Sequence, residues 1–302
     1  MRILNIGSLN IDRVYSVDHF VKEGETISAG RLEFFSGGKG LNQSIACAKA
    51  NGNVEHGGAV GKDGAFLLQL LKESGVKTDR IQQLEEPTGH AVIQLQPNGQ
   101  NCIIIAHGAN FCLSEDYIQS MLEGYGEGDM LLLQNEVNNI PFAMRQAKKR
   151  GMKIAFNASP ITENIRSFPL DLVDWLLVNE TEGTYLSGLP KGSNREILEA
   201  LHQTFPQAKV LLTVGSEGAL YQDGEEIITQ PAYKVPAVDT TAAGDTFTGF
   251  FLASLSNGLP ACKALQAASL AAACAVTIKG AANSIPTWNE MEQFARRFEH
   301  ED

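Results

Sequence analysis

No two cysteines in this sequence are spaced as CxxC, and their number, five, is odd. Neither a disulfide framework nor a thiolate zinc site is expected. Cys47, Cys102, Cys262 and Cys274 lie in apolar or small-residue stretches, where a free thiol behaves as a small hydrophobe; Cys112 does not. Basic clusters are equally scarce. The net charge is −11, and Lys148, Lys149 and Arg150 form the one tight basic run, read as the exposed end of a helix. Such an acidic chain repels nucleic acid and anionic membranes, so neither is an expected partner. Long apolar runs are missing: residues 267–278 are alanine-rich and too few to span a bilayer. The opening MRILNIGSLNID has a short apolar run broken by Asn5, unlike a secretory signal. A reduced, soluble, cytoplasmic protein is expected.

The loops that usually announce a nucleotide are missing too. A Walker A loop needs GxxxxGK followed by Ser or Thr. GGKG at 37–40 continues with glycine, and in GAVGKDG His56 stands where the first glycine should be while Asp63 follows the lysine. GYGEGD at 124–129 precedes a strand pattern instead of following one, so it does not serve as a dinucleotide fingerprint. A redox enzyme built on that fingerprint is disfavoured.

What is present is an α/β pattern. Near-continuous apolar runs at Met130–Gln134, Lys153–Asn157, Trp175–Asn179 and 209–214 alternate with helical patterns such as 141–150 and 195–204. Strands alternating with helices imply a mostly parallel sheet covered on both faces. Residues 12–35 and 88–106 break this rhythm. The second reads as a hairpin about Pro97-Asn98-Gly99, with Ala91, Ile93 and Leu95 alternating before the turn and Ile103 and Ile105 after it. The expectation is that the two insertions pair into one small sheet, a lid over a core of residues 1–11, 36–87 and 107–302. The alternative is edge strands of the main sheet.

One segment concentrates the chemistry, VDTTAAGDTFTGFF at 238–251. Phe247, Phe250, Phe251 and Leu255 fall on one helical face, which puts Ala242-Ala243-Gly244 at that helix's N-terminus. Unpaired N–H groups and the helix dipole suit an anion there, and small side chains let a phosphate approach. Asp245 is either a first-turn carboxylate that offsets the dipole or a general base facing the attacked phosphoryl group.

With these residues in view, VDTTAAGDTFTG resembles the C-terminal signature of the PfkB carbohydrate kinases, and SGGKGLNQSIACAKANG at 36–52 their N-terminal one. VNETEG, TVGSEGAL and AVTIKGAANSIP are similar to further family segments in the same order. LNID, GGKGLNQ, QNE and HGAN most resemble its ribokinase branch. The resemblance implies a three-layer αβα core with a mostly parallel sheet and a small β-lid. It implies transfer of the ATP γ-phosphoryl group to a sugar hydroxyl, D-ribose first among the candidates. Deoxyribose, fructose or a nucleoside, and a sugar sensor without chemistry, are the alternatives.

The resemblance also assigns roles. Asp245 becomes the base, with Ala242, Ala243 and Gly244 as an anion hole; Ala242 stands where many relatives have glycine, and alanine is tolerable there if φ is negative. Asn10, Asp12, Gly38, Lys39, Asn42 and Glu136 would line the sugar. Gly37 and Gly38 would give close backbone approach at the lid hinge. Asn179 and Glu182 would organise Mg²⁺ or another divalent cation near the phosphates, and Thr213, Gly215 and Gly218 would touch the nucleotide. Asp239, Thr241, Ala275, Ile278, Gly280 and Ser284 would hold K⁺, mainly through carbonyls. Ser269 stands where ribokinases have His or Asn near the nucleotide ribose, Asn135 replaces an apolar residue and is expected to point away from the sugar, and NASP at 157–160 departs from the family segment. A homodimer clasped through the lid is the expected assembly.

Overall fold

The computed structural model describes residues 1–298, so the core segment expected to reach residue 302 is followed to Phe298. Its strands, in chain order, are β1 (Arg2–Ile6), β2 (Asn10–Ser16), β3 (Arg31–Gly37), β4 (Asn53–Gly61), β5 (Lys77–Leu84), β6 (Gly89–Leu95), β7 (Asn101–Ala106), β8 (Met130–Gln134), β9 (Lys153–Asn157), β10 (Trp175–Asn179), β11 (Lys209–Thr213), β12 (Gly218–Asp223) and β13 (Glu226–Pro231). The α-helices are α1 (Lys39–Lys49), α2 (Ala65–Glu73), α3 (Glu115–Met121), α4 (Ile140–Lys149), α5 (Glu180–Ser187), α6 (Asn194–Thr204), α7 (Ala243–Ser256), α8 (Ala261–Ala275) and α9 (Trp288–Ala295).

A nine-stranded sheet runs β13-β12-β11-β10-β9-β8-β1-β4-β5. Every pairing from β5 to β11 is parallel, and β12 and β13 add an antiparallel edge. The central strands are buried almost throughout, as MLLLQ in β8 is. Side chains alternate between two cores: Leu132 packs with α1, α7 and α8 on one face, Leu131 and Leu133 with α3 and α4 on the other. These are the three layers that continuous apolar strands require.

The insertions meet in a second sheet, β3-β2-β6-β7. β2 pairs parallel with β6, Asn10 opposite Gly89 and Asp12 opposite Ala91, so the two distant segments share one ladder. Both outer strands stay apolar and exposed, with Phe34 at 60% and Ile104 at 61%.

Two expectations are corrected. Cys102 on β7 and Cys262 at the start of α8 are exposed and not core hydrophobes, because their apolar neighbours are themselves at the surface or at a helix end; only Cys47 and Cys274 are buried. Ala242, tolerable at its position if φ is negative, does not meet that condition and has φ 59 and ψ 11. That left-handed conformation costs a residue with a Cβ about 1–2 kcal/mol. No helix among the described residues is long and apolar enough to cross a membrane.

Candidate active site

In a parallel sheet, polar residues collect where the strands end, because loops leave the core there. Gln134, Asn157, Asn179 and Thr213 are the last residues of β8, β9, β10 and β11. A cleft of about 260 Å³ opens beside that edge, lined among others by Lys39, Asn157, Asn179, Glu182, Thr213 and Ala242 to Asp245.

Asp245 is in the first turn of α7 and 7% exposed. Two amides of α1 hold its carboxylate: Asn42 Nδ2 donates to Oδ2 at 3.0 Å and Gln43 Nε2 to Oδ1 at 2.8 Å. Asn42 Oδ1 is buried without a partner. Of the turn's N–H groups, that of Ala243 donates to Thr240 O at 3.2 Å. Among the described residues the Ala242, Gly244 and Asp245 N–H groups have no such acceptor, so of the N–H groups expected to meet an anion that of Ala243 is already taken.

Lys39 opens α1, and its backbone N–H donates to Glu136 Oε2 at 2.8 Å. Ser8 Oγ donates to the same oxygen. Glu136 thus caps a helix distant in sequence. Burial raises the Glu136 carboxyl, against the opposing pull of Lys39 and these hydrogen bonds. Burial alone would lower the Lys39 ammonium, but Asp245, Glu136 and Glu182 outweigh it and raise the group. Asp12, on β2 of the second sheet, is raised to about 6 by burial and by Glu136. It makes room for itself only because residue 37 is glycine: a Cβ there would come within 2.4 Å of either Asp12 oxygen. Gly38, with φ 94, precedes α1. Asn10 accepts from Asn110 Nδ2 at 2.7 Å, and Asn110 also bonds both backbone groups of Leu9, at 2.9 and 3.2 Å.

Asn179 and Glu182 form a reciprocal capping box on α5, with Glu182 N to Asn179 Oδ1 at 2.9 Å and Asn179 N to Glu182 Oε2 at 3.0 Å. Cap and cleft wall are therefore one structure. Gly215 (φ 52) and Gly218 (φ 112) shape the connection after Thr213. A Cβ on Gly218 would lie 2.1 Å from Gln230 O.

Asp239 ties two loops together: Oδ1 accepts from Thr241 N at 2.9 Å and Oδ2 from Gly280 N at 2.9 Å. Burial would raise this carboxyl, but the bonds from Thr241 and Gly280 outweigh it and hold it low. Ala275, the last residue of α8, and Ser284 are buried, and Ile278 between them is exposed. Ser269 is buried on α8, where its hydroxyl donates at 3.2 Å to the carbonyl of Pro231, the β13 residue paired with Gly218. Asn135 Nδ2 turns to the next loop, bonding Pro160 O at 2.7 Å and Thr162 Oγ1 at 2.8 Å.

Sequence reading passed over Ser8, Gln43 and Gln134. Gln43 lies within the GGKGLNQ segment, and Gln134 closes the otherwise apolar run MLLLQ. A lone polar residue ending a buried strand was the available signal.

A profile described as pfkB family carbohydrate kinase matches residues 2–288. The ribokinase of Haemophilus influenzae is 33% identical over 296 residues, covering 96% of each chain. The deoxyribokinase of Salmonella typhi is 31% identical over 301 residues, 97% of this chain and 98% of its own. The solved structure of Arabidopsis thaliana ribokinase complexed with ribose and ATP is similar with a TM-score of 0.85 at 32% identity, covering 97% of this chain and 98% of that one.

Proposed function

The chain belongs to the pfkB family of carbohydrate kinases, and from that premise we propose that it is an ATP-dependent ribokinase, converting D-ribose and ATP to ribose 5-phosphate and ADP. The observation that carries the reading is a buried carboxylate, Asp245, clamped by two amides beside unpaired N–H groups at the start of a long helix. A sugar hydroxyl placed there loses its proton to Asp245 as the new P–O bond forms. The Gly244 and Ala242 N–H groups then face the charge on the transferred group.

Asp12, Glu136 and Asn42 supply acceptors for sugar hydroxyls, including the unpartnered Asn42 Oδ1, and Lys39 and Asn10 supply donors. The lid strand carrying Asp12 would exclude water, the competing acceptor. Thr213, Gly215 and Gly218 form a nucleotide wall.

The cleft sets Asp245 and Glu182 against a single lysine, so a triphosphate needs added positive charge. Among the described residues no group of His, Cys, Asp or Glu forms a metal cage. This suits Mg²⁺ carried on the phosphates, with Glu182 nearby through water, where the ion supplies charge neutralisation. K⁺ would be held by carbonyls of Asp239, Thr241, Ala275, Ile278, Gly280 and Ser284, and would set the loop before α7. The exposed Ile103 and Ile105 share the lid face of Asp12, and a second copy clasped there makes a homodimer. We place the enzyme in the cytoplasm.

ADP release with ribose, deoxyribose, fructose and adenosine tests the reading, with Asp245→Asn as control. Turnover on ribose that collapses in the variant while sugar still binds is the expected result. A deoxyribose preference would move the substrate to that of the Salmonella relative, and binding without turnover would favour a sensor.

A further inference from the structure

Behind Asp245 lies a chain of polar side chains with no part in the chemistry above. Gln43, Gln134, Asn5, Ser44 and His56 are each 0% exposed. Gln43 Nε2 donates to Asp245 Oδ1 at 2.8 Å, and Gln43 Oε1 accepts from Gln134 Nε2 at 2.7 Å. Gln134 Nε2 also donates to Asn5 Oδ1 at 3.0 Å. Asn5 Nδ2 donates to Ser44 Oγ at 2.8 Å and to Gly40 O at 2.8 Å. Ser44 Oγ meets His56 Nδ1 at 2.8 Å, and His56 Nε2 meets Gly7 O at 3.2 Å.

The direction of every bond follows from its ends. A carboxylate only accepts, so the Gln43 amide nitrogen faces Asp245 and its oxygen faces Gln134, which must donate. At the far end a backbone carbonyl only accepts, so His56 carries its proton on Nε2 and accepts at Nδ1. Ser44 must then donate to His56 and accept from Asn5. The two deductions agree at Asn5, whose nitrogen is also fixed by Gly40 O. Burial lowers His56 to about 4, which keeps the ring neutral as the chain requires. Packing leaves no slack: a Cβ on Gly7 would lie 2.4 Å from Gln134 Oε1 and 2.7 Å from Gly40 Cα.

We infer that this chain, whose donors run outward from Gln134 along both arms, fixes the rotation of the Asp245 carboxylate, and that Gln43, Gln134 and Ser44 are positioning residues for phosphoryl transfer. The inference rests on the base role proposed for Asp245. A carboxylate with one clamp from Asn42 pivots, whereas two clamps from different residues set its plane. Buried amide chains of this kind hold geometry because turning any one amide leaves acceptors facing acceptors: Gln43 against Asp245, Gln134 against Gln43 and Asn5, and Asn5 against Gly40 O.

The test is turnover and ribose binding in Gln134→Met, Ser44→Ala and the double variant. A small misplacement of a catalytic group costs about 10²-fold, so Gln134→Met should lower kcat by that order. Ser44→Ala removes one more distant hydrogen bond and should cost about fivefold. In both, KM and calorimetric Kd for ribose stay unchanged. The double variant should be no slower than Gln134→Met alone, because both cut one series. Unchanged kcat, losses expressed in KM or Kd, or losses that add in the double variant would overturn the inference. If Gln134→Met does not fold, Ser44→Ala decides by the same kcat and KM criteria. Asp245→Asn separates the two levels. Turnover surviving there sinks the base assignment and the inference with it; turnover lost there, with normal kcat in the network variants, sinks the inference alone.

Discussion

Replacing Asp12 with Asn should make the protein more stable and less able to bind sugar. The Asp12 carboxyl is raised from its ordinary 3.8 to about 6, by burial and then by Glu136. A folded-state pKa above the unfolded one means that the fold resists the ionised form. At about 1.4 kcal/mol per pH unit, the penalty on ionised Asp12 is about 3 kcal/mol at pH 8. Asp12→Asn removes it without changing the shape that Gly37 accommodates. Urea unfolding should therefore show the variant more stable by about 2–3 kcal/mol at pH 8. The gain should shrink as pH falls through about 6 and vanish well below 3.8, where both folded and unfolded wild-type chains carry the proton. Ribose binding should be weaker in the variant than in the wild type above about pH 6, and the difference should close below it as wild-type Asp12 takes up its proton. A variant no more stable than wild type at pH 8, or a gain independent of pH, would refute the idea that the lid holds a strained carboxylate for its substrate.

Ala242→Gly should stabilise the fold by about 0.5–1 kcal/mol in the same urea assay: relief of the left-handed alanine exceeds the entropy added to the unfolded chain. Ile103→Lys on the lid should leave a monomer by light scattering at micromolar concentration, with α/β core stability unchanged by urea unfolding. Exchanging K⁺ for a large organic cation should lower kcat in the ADP-release assay, and Asp239→Ala should abolish that cation dependence by untying the two loops. Gly218→Ala should raise KM for ATP and lower the unfolding midpoint, since its Cβ would collide with Gln230 O at 2.1 Å.

The core strands were legible because burial on both faces writes itself as an unbroken apolar run. Met130–Gln134, Lys153–Asn157 and Trp175–Asn179 are strands with those bounds, and the run read as 209–214 ends at Thr213. Helix α7 announced itself by the spacing of its phenylalanines. The pairing of β2 with β6 was expected only in outline, since a register joining Asp12 to Ala91 is a property of two segments and of neither one. The left-handed Ala242 went unseen because alanine carries no mark of its φ. The surface position of Cys102 and Cys262 went unseen because apolar neighbours signal burial only when a second layer covers them.

By itself, then, the sequence determined the layers and the residue types at the strand ends, since both follow from local periodicity. Tertiary structure alone decided which carboxylate is strained, which is clamped and which caps a helix. Asp12, Glu136 and Asp245 are chemically similar in the sequence. Burial of Asp12 beside Glu136, the Ser8 and Lys39 donors on Glu136, and the paired amides on Asp245 come from segments up to 203 residues apart, and solvation and hydrogen bonding act through space, not along the chain.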